Sequence, residues 1–116
     1  MDDDTRKIIP ATFYRTKAGN EPVREWLMER TAADKKVIGS DLQTVEYGWP
    51  IGMPVCRPMG NGLFEVRSDI TSGIARVLFC IHEGKMVLLH GFVKKSQKTP
   101  PGDLKLAIKR KRETEQ

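Results

Sequence analysis

LFEVRSDITSGIARVLFCIHEGKMVLLHGFVKK, residues Leu63–Lys95, is a run of β-type sequence broken only by short polar turns. Leu63–Asp69, Gly73–His82 and Met86–Lys95 each concentrate the Val, Ile, Leu and Phe side chains that fill a pleated strand. Thr71-Ser72-Gly73 and Glu83-Gly84-Lys85 are short enough for hairpin connections, so these three segments are expected to form an antiparallel meander. Successive side chains of a strand point to opposite faces. Alternation therefore assigns Phe64, Val66, Ala75, Val77, Phe79, Ile81, Val87, Leu89 and Val93 to one face. The other face receives Glu65, Arg67, Arg76, Leu78, His82, His90, Phe92 and Lys94. The apolar face must bury against helices, whereas an antiparallel sheet often leaves its second face wet. On that second face cations outnumber carboxylates, and like charges repel. A bound anion would offset the cost.

Working outward from the meander, Ile8–Tyr14 is rich in β formers and reads as a first strand. Asn20 suits a helix cap, with Glu21 and Pro22 in the first turn and Val23, Trp26, Leu27 and Arg30 on one side. Thr31 with Asp34 resembles a capping box for a second helix, whose stripe is Ile38, Leu42 and Val45 and whose stop is Gly48. Trp49–Gly62 is punctuated by Pro50, Gly52, Pro54, Pro58, Gly60 and Gly62 and reads as a loop. After the meander, Thr99 is expected to cap a last helix with Pro100 in its first position, burying Leu104, Ala107 and Ile108. The expected fold is α+β, with order β-α-α-β-β-β-α and the N-terminal helical pair packed on the apolar face. A chain of 116 residues suits a single domain over 1–116, with a frayed N-terminus over 1–7 and a basic helix over 99–113.

Apolar runs fall far short of a membrane span, and Met1–Asp4 is acidic where a signal peptide would be basic then apolar. A membrane role is not expected. Cys56 and Cys80 form no metal spacing and read as free thiols of a reducing cytoplasm. His82 and His90 lack nearby carboxylate ligands, so neither a metal nor another cofactor is expected. Charge is unevenly placed: residues 1–50 hold eight Lys/Arg and nine Asp/Glu, whereas residues 51–116 hold twelve and six. Basicity confined to one half points to a polyanionic partner.

Three stretches carry a family resemblance in order: GNGLFEVRSD (Gly60–Asp69), IARVLFCIHEGKMVLLHGFVKK (Ile74–Lys95) and QKTPPGDLKLAIKRKRE (Gln97–Glu113). Together they resemble the HigB-like, phage-derived branch of the RelE/ParE toxin superfamily, the toxin halves of type II toxin–antitoxin systems. The resemblance spans Thr12–Arg112 and implies a RelE-like toxin fold, with two N-terminal helices on one face of a twisted antiparallel sheet. It implies a ribosome-dependent mRNA endoribonuclease that needs no metal. It also implies a cognate antitoxin of the helix-turn-helix, HigA-like type, and leaves room for a dimer. By position Arg67 matches the family's sheet arginine near the scissile phosphate, Arg76 a recurrent arginine of the next strand, and Lys94 and Lys95 the basic pair closing the last strand. Arg57 corresponds to a basic loop position. Some relatives add a tyrosine after the last strand or an acidic–aromatic–histidine cluster near the C-terminus. Here the tyrosines are Tyr14 and Tyr47, and the last histidine is His90.

RNA is cleaved when a 2′-hydroxyl attacks the adjacent phosphorus, which requires charge stabilisation on phosphate and two proton transfers. Guanidinium suits the first task by its planar fork and permanent charge, hence Arg67 and Arg76, joined by Arg57. For the proton transfers the candidates are Lys94, whose pKa neighbouring cations would lower, and His90, which also reads as packing between Leu88 and Phe92. Phe92 could stack on a splayed base or simply pack. Glu65 suits an internal ion partner for Arg67 or Arg76. Lys98, Lys105, Lys109, Arg110, Lys111 and Arg112 would widen the basic surface toward ribosomal RNA, or else be the solvated end of a helix. Two other readings stay open: a ParE-like toxin that inhibits a protein target such as DNA gyrase, and a non-catalytic, phage-derived nucleic-acid-binding module.

Overall fold

The computed structural model describes residues 6–94 and 98–116. Its architecture is mixed α+β: β1 (Ala11–Phe13), α1 (Pro22–Met28), α2 (Ala32–Gly48), β2 (Cys56–Gly60), β3 (Leu63–Ile70), β4 (Gly73–His82), β5 (Lys85–Lys94) and α3 (Pro101–Glu115). The five strands form one sheet in the order β1-β5-β4-β3-β2. Strands β2 to β5 are an antiparallel meander, while β1 lies parallel to β5 at the edge. No helix among the described residues is long and apolar enough to cross a membrane.

The order departs from the sequence expectation by one strand. Cys56–Gly60 lies inside the stretch expected to be loop, yet it pairs with β3. Pro58 is tolerated because β2 is an edge strand, and the register shifts between Pro58 and Gly60. Asn61 (φ 56°) and Gly62 (φ 74°) close the β2–β3 hairpin with the paired positive φ angles of a type I′ turn. The N-terminal strand is shorter than expected and parallel, so the sheet is not wholly antiparallel.

Local signals at the helix starts act differently from their reading. Thr31 caps α2 as expected, accepting from the Asp34 amide at 3.2 Å. Asp34 does not reach back; both its carboxylate oxygens accept from the Thr71 hydroxyl at 3.0 Å, pinning α2 to the β3–β4 turn. Glu21, not Asn20, occupies the α1 cap position, without a side-chain cap bond. Pro100 occupies that position on α3, and Thr99 is directed elsewhere. Near the N-terminus, buried Glu46 accepts from the Ala11 amide at 2.7 Å and pairs with Lys7 at 3.2 Å.

Apolar side chains separate into two cores on opposite faces of the sheet. Val23 of α1 and Ile38, Leu42 and Val45 of α2 share one core with Val66, Ala75, Val77, Phe79, Met86 and Leu88. Ala107 of α3 shares the second with Tyr14, Leu63, Leu78, Cys80, Val87 and Leu89. Val87 and Leu89 were expected on the first face and lie on the second. The cause is a β-bulge: Leu78 pairs with His90 and Phe79 with Leu88, leaving Leu89 as the extra residue. Beyond it the original phase returns, with Val93 against the first core and Phe92 against the second. Gly91 admits close approach of α1: a Cβ there would lie 2.5 Å from the Trp26 ring.

Candidate RNA-processing site

The cation-bearing face is not open to water. Helix α3 and the chain leading into it lie across it, and the bulge decides which side chains they meet. Cross-strand register sets two rows: Arg57–Glu65–Leu78–His90 and, beside it, Arg67–Arg76–Phe92. Both rows run through β3, β4 and β5, whose neighbours stand about 4.8 Å apart.

Glu65 is the centre of the first row and is fully buried. Its Oε1 lies 3.6 Å from Arg67 Nε, and its Oε2 lies 3.9 Å from Arg76 Nη1. Thr99 donates its hydroxyl to Oε2 at 2.6 Å. Burying an unpaired carboxylate is costly, so the arginines and the hydroxyl are what make this position tolerable. Arg76 is also fully buried. Burial, opposed by Glu65 and reinforced by the positive charges of Arg67 and Arg57, holds its pKa below the ordinary arginine range. An arginine nonetheless remains charged at neutral pH. Glu65 and burial together push the Cys56 thiol up to about 11, with burial the larger cause.

Arg67 retains access, with 12% of its side chain exposed, and Arg57 of β2 is half-buried. Glu65 thus pairs with two guanidiniums, and Arg57 stands opposite it on β2, so that among the described residues cations outnumber carboxylates at the β2–β3–β4 end of the face. Arg76, sealed from solvent, cannot touch an RNA phosphate in this conformation and instead holds Glu65. That corrects the expectation of an open face presenting both arginines alike.

At the β5 side, His90 Nε2 lies 2.6 Å from Asp103 Oδ1, in the first turn of α3. The His90 ring stacks on Phe92, centroids 5.4 Å apart and planes at 23°. A carboxylate accepts, so Nε2–H is the donor of this pair. Sequence reading missed Asp103, although an acid in the first turn of the final helix was visible. An acidic, an aromatic and a histidine side chain are therefore brought together from β5 and α3.

Lys94 ends β5 exposed, opposite Ile74 and one row beyond Phe92. Lys95 lies outside the described residues. Lys98, Lys105 and Lys109 are exposed, on or just before α3. Arg110 is turned inward: it donates to the Leu89 carbonyl at 2.8 Å and sits 5.3 Å from the Tyr14 ring centroid. Tyr14 donates to Glu113 Oε1 at 2.6 Å, which raises the phenol's pKa. Arg110 therefore anchors α3 and stands apart from the Glu65 cluster.

Residues 25–112 match the family model described as Phage derived protein Gp49-like (DUF891). The chain belongs to that family. The Gp49-like family lies within the RelE/HigB-like toxin–antitoxin superfamily. No curated protein matches the chain. The matched span runs from α1 to the last turns of α3 and so contains Arg57, Glu65, Arg67, Arg76, His90, Phe92 and Asp103.

Proposed function

We propose that this Gp49-like chain is the toxin of a type II toxin–antitoxin pair and that it cleaves mRNA on the ribosome without a metal. One observation carries the reading: a guanidinium cluster around Glu65 and a carboxylate-oriented histidine occupy adjacent rows of a single sheet face. Family membership supports the toxin assignment. The HigB-like branch and the antitoxin partner are what the resemblance implies, and the catalytic roles are inferences from that arrangement.

In this reaction Arg67, with Arg57 beside it, binds the scissile phosphate and stabilises the charge that grows on its oxygens. Preorganised donors of this kind contribute about 3 kcal/mol each. Arg76 acts as a positioning residue, since it fixes Glu65 and Glu65 fixes Arg67. His90 Nδ1 takes the proton of the 2′-hydroxyl, while Asp103 holds the ring in place. The 2′-oxygen then bonds to phosphorus and the P–O5′ bond breaks, the leaving 5′-oxygen taking a proton from solvent water, to give a 2′,3′-cyclic phosphate and a 5′-hydroxyl end. Lys94, exposed at the end of β5, serves as a phosphate contact, and Phe92 stacks on His90. The protein works in the cytoplasm on translating ribosomes and is restrained by a helix-turn-helix, HigA-like antitoxin.

The test is expression of the chain alone and with its adjacent small gene. Growth arrest relieved by the neighbour is expected; unimpaired growth and intact transcripts on full induction reject the reading. Complete burial of Arg76 favours one rival, a ParE-like toxin that inhibits a protein target. Inhibition of purified gyrase supercoiling at intact RNA would select that rival.

A further inference from the structure

Strand β5 presents His90 to the site only because it carries an extra residue. Met86 and Leu88 lie in the core shared with α1 and α2, and strict alternation from them would send His90 to the same side. Leu89 and His90 instead face α3 together: Leu89 shares a core with Ala107, and His90 meets Asp103. The shift falls where Leu78 pairs with His90 and Phe79 with Leu88, so Leu89 has no partner on β4. Bulges of this kind break the ladder locally and re-aim a side chain. Here the re-aimed side chain is the histidine.

This irregular point is held from several sides. Arg110 of α3 donates from Nη1 to the Leu89 carbonyl at 2.8 Å, giving a donor to the residue that the ladder leaves unpaired. The guanidinium is itself braced, 5.3 Å from the Tyr14 ring centroid, and Tyr14 is tied to α3 through Glu113 at 2.6 Å. Tyr14 also donates its backbone amide to the carbonyl of Leu88, just before the bulge, at 3.0 Å. On the opposite face the Trp26 ring of α1 lies against Gly91, so close that a Cβ there would stand 2.5 Å from it. Seating α3 does not require Arg110, because Leu104, Ala107 and Ile108 already pack in the second core. What the arginine adds is a fixed carbonyl, and through it a fixed bulge.

We propose that Arg110 is a positioning residue: by holding the Leu89 carbonyl it holds the bulge that turns His90 toward Asp103, while Trp26 on Gly91 closes the same clamp from the other face. Its guanidinium does not meet the RNA. The catalytic half of this proposal rests on the nuclease reading, in which His90 receives the 2′-hydroxyl proton. The clamp itself does not. If β5 relaxed to regular pairing, alternation would carry His90 away from Asp103, because a shift of one residue exchanges the faces of a strand. The His90–Asp103 contact therefore reports on the clamp with or without cleavage.

The experiment records the imidazole N–H resonances of the full-length chain labelled with nitrogen-15 histidine, and times single-turnover mRNA cleavage on ribosomes. Compared are the parent, Arg110→Met, Arg110→Lys, Trp26→Leu and Leu42→Ala, each checked for helix content by circular dichroism. The histidines are His82 and His90 alone, so His82→Gln assigns both signals. The parent should show a His90 Nε2–H signal protected from exchange by the Asp103 carboxylate. Arg110→Met keeps an apolar stem and loses the donor; the signal should vanish into exchange with water and cleavage should fall by about 10–100-fold. Arg110→Lys can still donate to the Leu89 carbonyl and should restore most of both. Trp26→Leu should weaken the signal likewise, and gives the decision if Arg110→Met does not fold. Leu42→Ala loosens the other core and should leave the signal in place, which separates positioning from lost stability. An undiminished His90 signal in Arg110→Met overturns the proposal, as does cleavage at the parent's rate by that variant. Loss of the signal in Leu42→Ala as well reduces Arg110 to a stabilising contact and overturns it too, as does absence of the signal from the parent. A signal that behaves as stated in a parent that cuts no RNA removes the nuclease reading and leaves the clamp standing.

Discussion

Thr99 donates its hydroxyl to Glu65 Oε2 at 2.6 Å, so the residue with the sequence signature of a cap for α3 is instead a tie between that helix's lead-in and the centre of β3. The tie lies on the face where Arg76 is buried, while Arg57 and Arg67 keep some access to solvent. Fold and site are coupled through this carboxylate.

Removing Glu65 should therefore injure stability before it injures chemistry. Glu65→Ala removes a buried counter-charge shared by Arg67 and Arg76 and should cost about 3–5 kcal/mol. Thr99→Val removes one charge-assisted hydrogen bond and should cost about 1.5 kcal/mol. Urea unfolding measures both; a Glu65→Ala protein as stable as the parent contradicts the buried-pair account.

Arg67 should separate binding geometry from charge. Arg67→Ala is expected to lower single-turnover cleavage by about 10²–10³, and Arg67→Lys to recover little of it, because an ammonium cannot replace the fork. Rates close to the parent for Arg67→Lys would show that only charge matters there.

Asp103→Asn keeps shape and loses the carboxylate that orients His90. Cleavage should fall by about 10–100-fold with the melting temperature little changed, because Asp103 is partly exposed. A double variant with His90→Ala should lose no more than His90→Ala alone, since Asp103 acts through that ring.

Gly91 is the point of closest approach between α1 and β5. Gly91→Ala must displace the Trp26 ring and should cost about 1–3 kcal/mol, read as a drop in thermal midpoint. Trp26→Ala in the same background should recover part of that loss.

Both thiols titrate late in the folded chain: burial raises Cys56 and Cys80 from 9.0 to about 11. A group with a raised folded pKa binds more protons folded than unfolded between the two values. Its stabilisation is whole below pH 9 and declines from there toward pH 11. Tyr14, raised in the same direction, adds to the loss. Stability should thus fall steeply above pH 9, and a thiol reagent at pH 8 should label neither cysteine until urea is added. Rapid labelling of the native protein at pH 8 would contradict the burial.

Much of this layout is legible in the sequence because a strand's period of two is local. Phe64 and Val66 on one side and Glu65 and Arg67 on the other need only alternation, and the same holds through β4. Legibility stops at Leu89, where the bulge inverts the phase of Val87 and Leu89; a bulge depends on the partner strand and leaves no local mark. Strand β2 was hidden by its proline, although Asn61-Gly62 is a hairpin signature in plain view. The pairing of His90 with Asp103, and of Thr99 with Glu65, joins elements whose packing local periodicity does not encode. Thr99 in particular carries a sound capping signal that a buried carboxylate outcompetes.

The central claim is that the guanidinium cluster at Glu65 cuts mRNA, and mapping of 5′ ends in cellular RNA after brief induction tests it most directly. The parent chain should generate new 5′-hydroxyl ends inside translated reading frames within minutes, and the Arg67→Ala chain, made at equal level, should generate almost none. Identical end maps for both proteins and for uninduced cells would contradict the account.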